Sequence, residues 1–365
     1  MGQYTRRSRN VGRYISDKVA QCGAIRKKQT NMKNIAIIGA GPAGIEAASV
    51  LARQHQVTLF EKEEKPLCNI RDKAFLFPDF SSADELADKL EAKLSHENIT
   101  LKTNCAITAM NRTGEQWTLT AADGSTAVFD AVLLATGYKV FDAHQKEELG
   151  YGIYRGVITS LEMEKMIKEN QVRNNMNEIP KQIVFLQCVG SRDEKSGNHY
   201  CSKVCCVTAV KQAIEIKKQH PETEVHIFYM DLRMWGQGFE EMYREAQEKY
   251  GVNFVRGRIS EAASTFDNRV QIKAEDTLMG NPMTMNCDLL VLMVGMCASE
   301  GTATLSQSAG IDGLYRFAQS RSPHTEDNLT AQPGLFVAGA CKRPMSISDT
   351  IQDARAAALV MMNDE

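Results

Sequence analysis

Residues 34–63 read NIAIIGAGPAGIEAASVLARQHQVTLFEKE, which predicts a β-strand, a glycine-rich turn, an α-helix and a second β-strand. The turn fits the pattern GxGxxG, with Gly39, Gly41 and Gly44 in the glycine positions. The first glycine permits a tight turn, the second lets backbone approach a pyrophosphate, and the third lets the helix pack closely on the strand. Glu61 ends the second strand, where its carboxylate can accept hydrogen bonds from a ribose. This unit therefore predicts a dinucleotide-binding domain.

The rest of the chain continues the α/β pattern. Residues 182–190 predict a buried strand, followed by a polar loop and a helix over residues 201–217. Residues 288–295 predict another buried strand. The chain closes with a short apolar strand over residues 334–340 and a helix over residues 347–361. We therefore predict a second α/β half inserted into the first.

Charge and hydropathy exclude two classes of function. Residues 1–33 hold nine Lys and Arg against one acidic residue, which leaves 34 Lys and Arg against 44 Asp and Glu, or a net charge of −10, for the rest. That balance argues against a nucleic-acid surface there. No window approaches the ~20 apolar residues that span a bilayer. Because no apolar signal-peptide core precedes the cysteines, we expect a cytoplasmic protein that neither binds nucleic acid nor inserts into a membrane.

Two further segments bear on which dinucleotide is bound. Residues 135–137 (Ala-Thr-Gly) follow a buried strand, and residues 339–340 (Gly-Ala) precede the terminal helix. This architecture resembles the two-dinucleotide-binding flavoproteins, in which such segments make the second and third contacts with the cofactor, so the resemblance implies FAD. The N-terminus of the terminal helix would point at the flavin, where Asp349 can act as a cap or contact the ribityl chain. The predicted FAD-binding residues are Gly39, Gly41, Pro42, Ala43, Gly44, Glu61, Lys62, Ala135, Thr136, Gly137, Gly339, Ala340, Ser348 and Asp349.

Four of the ten cysteines form the pattern C-x12-C-x3-C-C: Cys188, Cys201, Cys205 and Cys206. They start at a predicted strand end and finish in the predicted helix, so their thiols can converge on one cofactor. Three interpretations remain: a [4Fe–4S] cluster, a structural zinc ion, or a dithiol with bystanders. Adjacent ligands suit zinc poorly, and the C-x-x-C of a dithiol reductase is absent from the chain.

Three segments carry a closer resemblance. Residues 187–218 (QCVGSRDEKSGNHYCSKVCCVTAVKQAIEIKK), 226–261 (HIFYMDLRMWGQGFEEMYREAQEKYGVNFVRGRISE) and 334–358 (GLFVAGACKRPMSISDTIQDARAAA) closely resemble the A subunit of heterodisulfide reductase and its short relatives. The resemblance covers roughly residues 33–362. It implies a thioredoxin-reductase-like core with FAD and one [4Fe–4S] cluster, whose ligands match the four cysteines in spacing. Larger members add ferredoxin-like modules, so we expect this chain to be a short form.

The resemblance gives the predicted fold class its detail. We predict an α/β, two-dinucleotide-binding flavoprotein whose FAD domain is discontinuous, residues 33–145 and 285–365. An NAD(P)-domain-like α/β domain, residues 146–284, would be inserted and would carry the cysteines. Residues 1–32 are predicted to form a basic, disordered extension.

The implied function is an FAD-dependent oxidoreductase subunit that passes electrons between the flavin and the iron–sulfur cluster. Its partners would be other heterodisulfide-reductase-like subunits or ferredoxin-like carriers, and the resemblance implies a homodimer. Residues 188–192 replace the second glycine cradle expected for NADPH, so we expect NADH and NADPH to bind weakly at most. The alternatives are a stand-alone NAD(P)H-dependent disulfide reductase with cysteine thiols, and a flavin-holding scaffold.

Overall fold

A computed structural model describes residues 32–364, so the predicted basic extension lies outside the described residues except for Met32. The strands are β1 (Asn34–Ile38), β2 (Gln56–Phe60), β3 (Ile99–Lys102), β4 (Ile107–Thr113), β5 (Gln116–Ala121), β6 (Thr126–Phe129), β7 (Ala131–Leu134), β8 (Tyr138–Val140), β9 (Val157–Thr159), β10 (Gln182–Val189), β11 (Glu224–Tyr229), β12 (Asn253–Ser264), β13 (Val270–Asp276), β14 (Asn281–Cys287), β15 (Leu289–Val294), β16 (Met296–Ala298) and β17 (Leu335–Val337). The α-helices are α1 (Pro42–Leu51), α2 (Cys68–Arg71), α3 (Ala83–Glu91), α4 (Ser160–Lys168), α5 (Cys205–Gln219), α6 (Phe239–Glu248), α7 (Glu300–Ser308) and α8 (Ile347–Asn363). None of these helices is long and apolar enough to cross a membrane.

The first sheet is parallel, with strand order β17-β7-β1-β2-β3. Strand β7 is buried along its whole length, as expected for a parallel strand covered on both faces. Helices α1 and α8 pack on one face through side chains such as Ile45 and Ala357. The antiparallel sheet β4-β5-β6 covers the other face through Met110, Trp117 and Leu119. The strand order reverses between β1 and β7, and the carboxyl ends there open the first crevice.

The second sheet has the order β14-β13-β12-β11-β10-β15-β9. Strands β12, β11, β10, β15 and β9 are parallel, and β13 and β14 extend the sheet as antiparallel strands. Helices α4, α5 and α6 pack on one face, with Met163, Ala213 and Met242 in the shared core. The order reverses between β10 and β15, so the carboxyl end of β10 borders a second crevice.

The position of β15 differs from the predicted domain limits. The sequence places residues 285–365 in the first domain, but β15 lies in the second sheet between β10 and β9. All six of its residues are buried, which suits a central strand with both faces covered. The chain leaves this sheet only afterwards, where β16 pairs with β8 in an antiparallel ribbon.

The start of α5 also differs from the prediction. The sequence predicts a helix over residues 201–217, whereas α5 begins at Cys205 and follows a loop of residues 190–204, the cysteine loop. Lys203 has a left-handed backbone with φ +64°, which cannot continue into a right-handed helix. The Ser202 hydroxyl accepts a hydrogen bond from the Met296 amide at 2.8 Å, which ties this loop to the neighbouring strand. Cys201 therefore reaches the site from a loop and not from the helix.

Candidate functional site

The glycine turn after β1 has the geometry of a phosphate cradle. Gly39 has φ +109°, and a Cβ there would overlap the Ala135 carbonyl, so only glycine fits. A Cβ on Gly44 would overlap the Gly39 carbonyl, which shows how closely α1 packs on the turn. In contrast, a Cβ on Gly41 would meet nothing within 4 Å. Helix α1 begins at Pro42 without a side-chain cap, so its first-turn N–H groups are open to an anion.

Glu61 lies against this turn at the end of β2. Its Oε2 accepts a hydrogen bond from the Ala40 amide at 2.8 Å, and its Oε1 accepts one from the Glu63 amide at 3.0 Å. The carboxylate is thus held at the crevice, where the sequence predicts that it meets a ribose. Lys62, also predicted to bind the cofactor, is exposed and its ammonium lies 3.2 Å from Glu63 Oε1.

The second and third predicted segments meet the first at this crevice. The Ala135 amide donates to the Ile38 carbonyl at 2.9 Å, which joins the ends of β7 and β1. A Cβ on Gly339 would lie 2.9 Å from the Cβ of Ala43, so this segment touches the first turn of α1. Ala340 is buried beside it. The structure therefore brings together three segments that are far apart in the sequence.

Side chains that the sequence does not single out hold these segments. Thr136 Oγ1 lies 2.6 Å from Thr302 Oγ1 in α7, and the Thr302 hydroxyl donates to the Gly137 carbonyl at 3.1 Å. The Gly339 amide donates to Asp353 Oδ2 at 2.6 Å. Thr302 and Asp353 belong to no local motif and are found only through their tertiary contacts.

Helix α8 begins with a capping box. The Asp349 amide donates to Ser346 Oγ at 3.1 Å, and the Ser346 amide donates to Asp349 Oδ2 at 3.3 Å. Ser348 Oγ lies 3.0 Å from Ser346 Oγ. Asp349 is therefore a cap, one of its two predicted roles. Its Oδ2 also accepts from Lys203 Nζ at 2.7 Å, a contact with the cysteine loop that the sequence does not predict.

The four predicted ligands lie at the second crevice. Cys188 is the penultimate residue of β10 and has φ +60°, and a register shift lies between Leu186 and Val189. Cys205 and Cys206 open helix α5 and are buried, whereas Cys188 and Cys201 are partly exposed. All four are free thiols.

Burial and the neighbouring thiols raise the pKa of Cys188, Cys205 and Cys206. Burial is the main cause that raises the pKa of Cys188, to about 11, and the thiols of Cys206 and Cys201 add to the rise. Burial also raises the pKa of Cys205 and of Cys206. Each of the four thiols interacts electrostatically with the other three. Across residues 32–364, no three His, Cys, Asp or Glu side chains form a ready site for a single metal ion.

Hydrogen-bond donors surround these sulfurs. The Lys203 amide donates to Cys201 Sγ at 3.3 Å. The Arg192 guanidinium contacts Cys188 and is held by Asp231 through two hydrogen bonds, one of them 3.2 Å from Nη2 to Oδ2. The donor amide and the positive charge of Arg192 oppose the effect of burial and would stabilise sulfurs that act as metal ligands.

A buried ion pair that the sequence does not reveal joins the second half to the first. Lys211 of α5 pairs with Glu164 of α4, and both side chains are almost fully buried. Lys211 Nζ donates to the Phe75 carbonyl at 2.9 Å, and the Ala74 amide donates to Glu164 Oε1 at 3.1 Å. Gln212 completes the group by donating to Glu164 Oε2 at 2.6 Å. No sequence period signals such a group, because its members lie on three separate segments.

Comparison with known proteins defines the class of fold. The family model for pyridine nucleotide-disulphide oxidoreductases matches residues 9–168. The thioredoxin reductase of Lactococcus lactis is 18% identical, with a TM-score of 0.66 over 91% of this chain and 98% of that chain. The thioredoxin reductase of T. acidophilum is 17% identical, with a TM-score of 0.64 over 92% and 99%. The predicted thioredoxin-reductase-like fold is therefore confirmed.

Proteins similar in sequence narrow the comparison further than the structural neighbours do. The A subunit of the H(2)/formate:CoB-CoM heterodisulfide,ferredoxin reductase of Methanococcus maripaludis is 42% identical over 238 residues. The iron-sulfur A subunit of the CoB--CoM heterodisulfide reductase of Methanocaldococcus jannaschii is 41% identical over 240 residues. Each alignment covers 62% of this chain and only 36% of the relative. The chain is thus similar to part of the heterodisulfide reductase A subunit and spans about a third of its length, which confirms the predicted resemblance. The matched pyridine nucleotide-disulphide oxidoreductase model agrees with the predicted oxidoreductase class.

Proposed function

We propose that the chain binds FAD in the first crevice and a [4Fe–4S] cluster in the second, and carries electrons between them within a heterodisulfide-reductase-like complex. The observation that carries the proposal is the gathering of four mutually interacting thiols at the carboxyl end of β10. That place is the switch point of the second sheet, where this class of fold binds ligands. When bound, FAD supplies two-electron exchange and the cluster one-electron exchange.

The first crevice fits a dinucleotide. The open position at Gly41 leaves room for a pyrophosphate beside the uncapped start of α1. Glu61 is oriented by two backbone amides and would accept from a ribose hydroxyl. The start of α8, capped by Ser346 and Asp349, would face the flavin. The matched pyridine nucleotide-disulphide oxidoreductase model supports FAD as the occupant.

The second crevice fits an iron–sulfur cluster. Four thiols suit the four-thiolate ligation of a [4Fe–4S] cluster, and the donors from Lys203 and Arg192 would stabilise the ligated sulfurs. A catalytic dithiol needs exposed sulfur with a stabilised thiolate, whereas Cys205 and Cys206 are buried. The name of the Methanocaldococcus relative, an iron-sulfur subunit, points the same way.

The proposed setting follows from the relatives. They are named as reductase subunits, so we expect this chain to work with partner subunits or ferredoxin-like carriers. A homodimer is expected from the family resemblance alone. All nine cysteines of the described residues are free, which suits the reducing cytoplasm. We expect NADH to be a poor electron donor, because Cys188 stands at the end of β10, where a glycine cradle for the nucleotide phosphates is expected.

The test compares cysteine variants of anaerobically purified protein. Cys205→Ala should lose most bound iron and keep its FAD, because a three-thiolate site is labile and the flavin lies at the other sheet. Cys201→Ala should behave in the same way. The matched control, Cys105→Ala, should retain about four iron atoms and one FAD per chain.

Two results would contradict this assignment. Zinc in place of iron in the parent protein would indicate a structural metal site. Metal-free protein with four titratable thiols in residues 188–206 would favour the disulfide reductase.

A further inference from the structure

Lys203 lies at the point where the cysteine loop meets the first half of the molecule. It stands between Cys201 and Cys205, and its backbone amide donates to Cys201 Sγ at 3.3 Å. Its φ of +64° is uncommon for a residue with a long side chain and sets the direction in which that amide points. The backbone of Lys203 thus donates a hydrogen bond to one of the proposed ligands.

The side chain of Lys203 contacts the start of α8 at the first crevice. Its Nζ lies 2.7 Å from Asp349 Oδ2, which belongs to the capping box at the start of α8. The same ammonium lies 4.6 Å from the centre of the Trp235 ring, a cation–π contact. One residue therefore contacts a proposed cluster ligand through its backbone and the flavin-facing helix through its side chain.

A purely structural role explains this arrangement poorly. The side chains of Lys203 and Asp349 are 31% and 37% exposed, and ion pairs with this much solvent contact contribute little to folding. On its own side Asp349 also faces Arg343, but that guanidinium is held by Asp327 through two hydrogen bonds, at 2.8 and 2.6 Å. Among the described residues, the Lys203–Asp349 pair is therefore the ion pair that joins the cysteine loop to α8.

We propose that the Lys203–Asp349 ion pair couples the two redox sites, with Lys203 acting as a positioning residue between them. The inference rests on the proposed function. One electron moves from the flavin site to the cysteine site, and no proton or covalent bond passes through Lys203. The Lys203 amide stabilises added negative charge at Cys201 Sγ, while the hold of its ammonium on Asp349 transmits a change in that bond to the start of α8.

The test is a double-mutant cycle read as reduction potentials. Lys203→Met should lower the reduction potential of the iron–sulfur cluster, because the residue whose amide donates to Cys201 Sγ loses its positive charge and its anchor on Asp349. Asp349→Asn should raise that potential, because it removes the opposing charge while an amide can still cap the helix. In the double variant the shift should differ from the sum of the single shifts, and the flavin potential should move as well.

The controls isolate the pair. Lys203→Arg should restore most of the parent potential. Lys218→Met removes a lysine of α5 whose Nζ lies 3.9 Å from the centre of the Phe80 ring in the first half, and it should leave both potentials unchanged. Iron, FAD and the melting temperature are measured for every variant, so that a loss of cofactor is seen separately.

The outcomes are decisive for the inference. Additive shifts, or unchanged potentials in Lys203→Met with full iron and FAD, would overturn the coupling and leave the proposed function standing. If Lys203→Met loses its iron, Asp349→Asn carries the test, and an unchanged cluster potential there overturns the coupling. Parent protein without iron would overturn the proposed function and the inference together.

Discussion

The parallel strands of the two sheets end in crevices of the same topology and of different chemistry. In the first, β1 passes through residues 39–41 directly into α1, so the open helix start lies at the switch point. In the second, β10 is followed by the cysteine loop before α5 begins, and this loop brings Cys201 beside Cys188. Topology therefore decides where a ligand can bind, and the length and residues of the loop decide which chemistry is offered.

The two crevices also differ in how they accommodate left-handed backbone. The first uses a glycine, Gly39, at its tight turn. The second places three non-glycine residues, Cys188, Arg192 and Lys203, at positive φ. Each such position costs of the order of 1–3 kcal/mol unless its surroundings hold it. We infer that ligation of the proposed cluster would offset this cost at the second crevice.

The largest effect is expected at the open position of the first crevice. Gly41→Val should abolish FAD binding, because its side chain would fill the space left for the pyrophosphate, while the fold and the iron content persist. Flavin and iron per chain, with circular dichroism, measure this. Gly114→Asn, in an open turn at φ +65°, is the control and should keep both cofactors. Stoichiometric FAD in Gly41→Val would refute the assignment of the first crevice.

A buried charge network behind the first crevice gives the next effect. Lys342 is 2% exposed and pairs with Asp327 and Asp353, and Asp353 in turn holds the Gly339 amide. Lys342→Met should lower the free energy of unfolding by about 3 kcal/mol, since it leaves two carboxylates underpaired. FAD should be held less tightly and the iron content should not change. Denaturant unfolding and flavin titration test this, and equal loss of both cofactors would contradict it.

Acid sensitivity follows from the same network. Burial raises the pKa of Asp327, but hydrogen bonds from Arg343 and Lys342 outweigh it and bring the pKa to about 2. A lowered carboxyl pKa stabilises the fold above its usual value of 3.8, and this contribution is lost as the pH falls toward 2. In Lys342→Met the acid unfolding midpoint should therefore move to higher pH, as followed by circular dichroism.

A smaller effect is expected at the second crevice. Arg192→Met should weaken iron retention against a chelator by on the order of 10-fold, because the guanidinium contacts Cys188 without being a ligand. Arg233→Met is the matched control, since Arg233 also lies near Asp231, with Nε 3.4 Å from Oδ1. Equal iron loss in the two variants would show that charge alone, and not the contact with Cys188, matters.

The smallest effect is expected with nicotinamide nucleotides. Micromolar NADH should not bleach the flavin of the isolated protein, because the second crevice offers sulfur in place of a phosphate cradle. Stopped-flow absorbance at the flavin band measures this, with dithionite as the positive control. Rapid bleaching by NADH would mean that the two crevices are chemically alike and would favour the disulfide reductase.

Local patterns predict much of this molecule, and tertiary contacts account for the rest. The glycine turn and Glu61 lie where residues 34–63 indicate, because strand, turn and helix are specified within one short segment. The predicted start of α5 is wrong, since the left-handed Lys203 is held by contacts outside its own segment. The bond between Lys203 and Asp349 joins residues 146 positions apart, and no local period encodes such a pair.

The most direct test of the central claim is an anaerobic reductive titration of the isolated protein. With FAD in the first crevice and a [4Fe–4S] cluster in the second, dithionite should deliver about three electrons per chain, two to the flavin and one to the cluster. The flavin absorbance and the paramagnetic signal of the reduced cluster would be followed together. Uptake of only two electrons, with flavin bleaching and no cluster signal, would contradict the account.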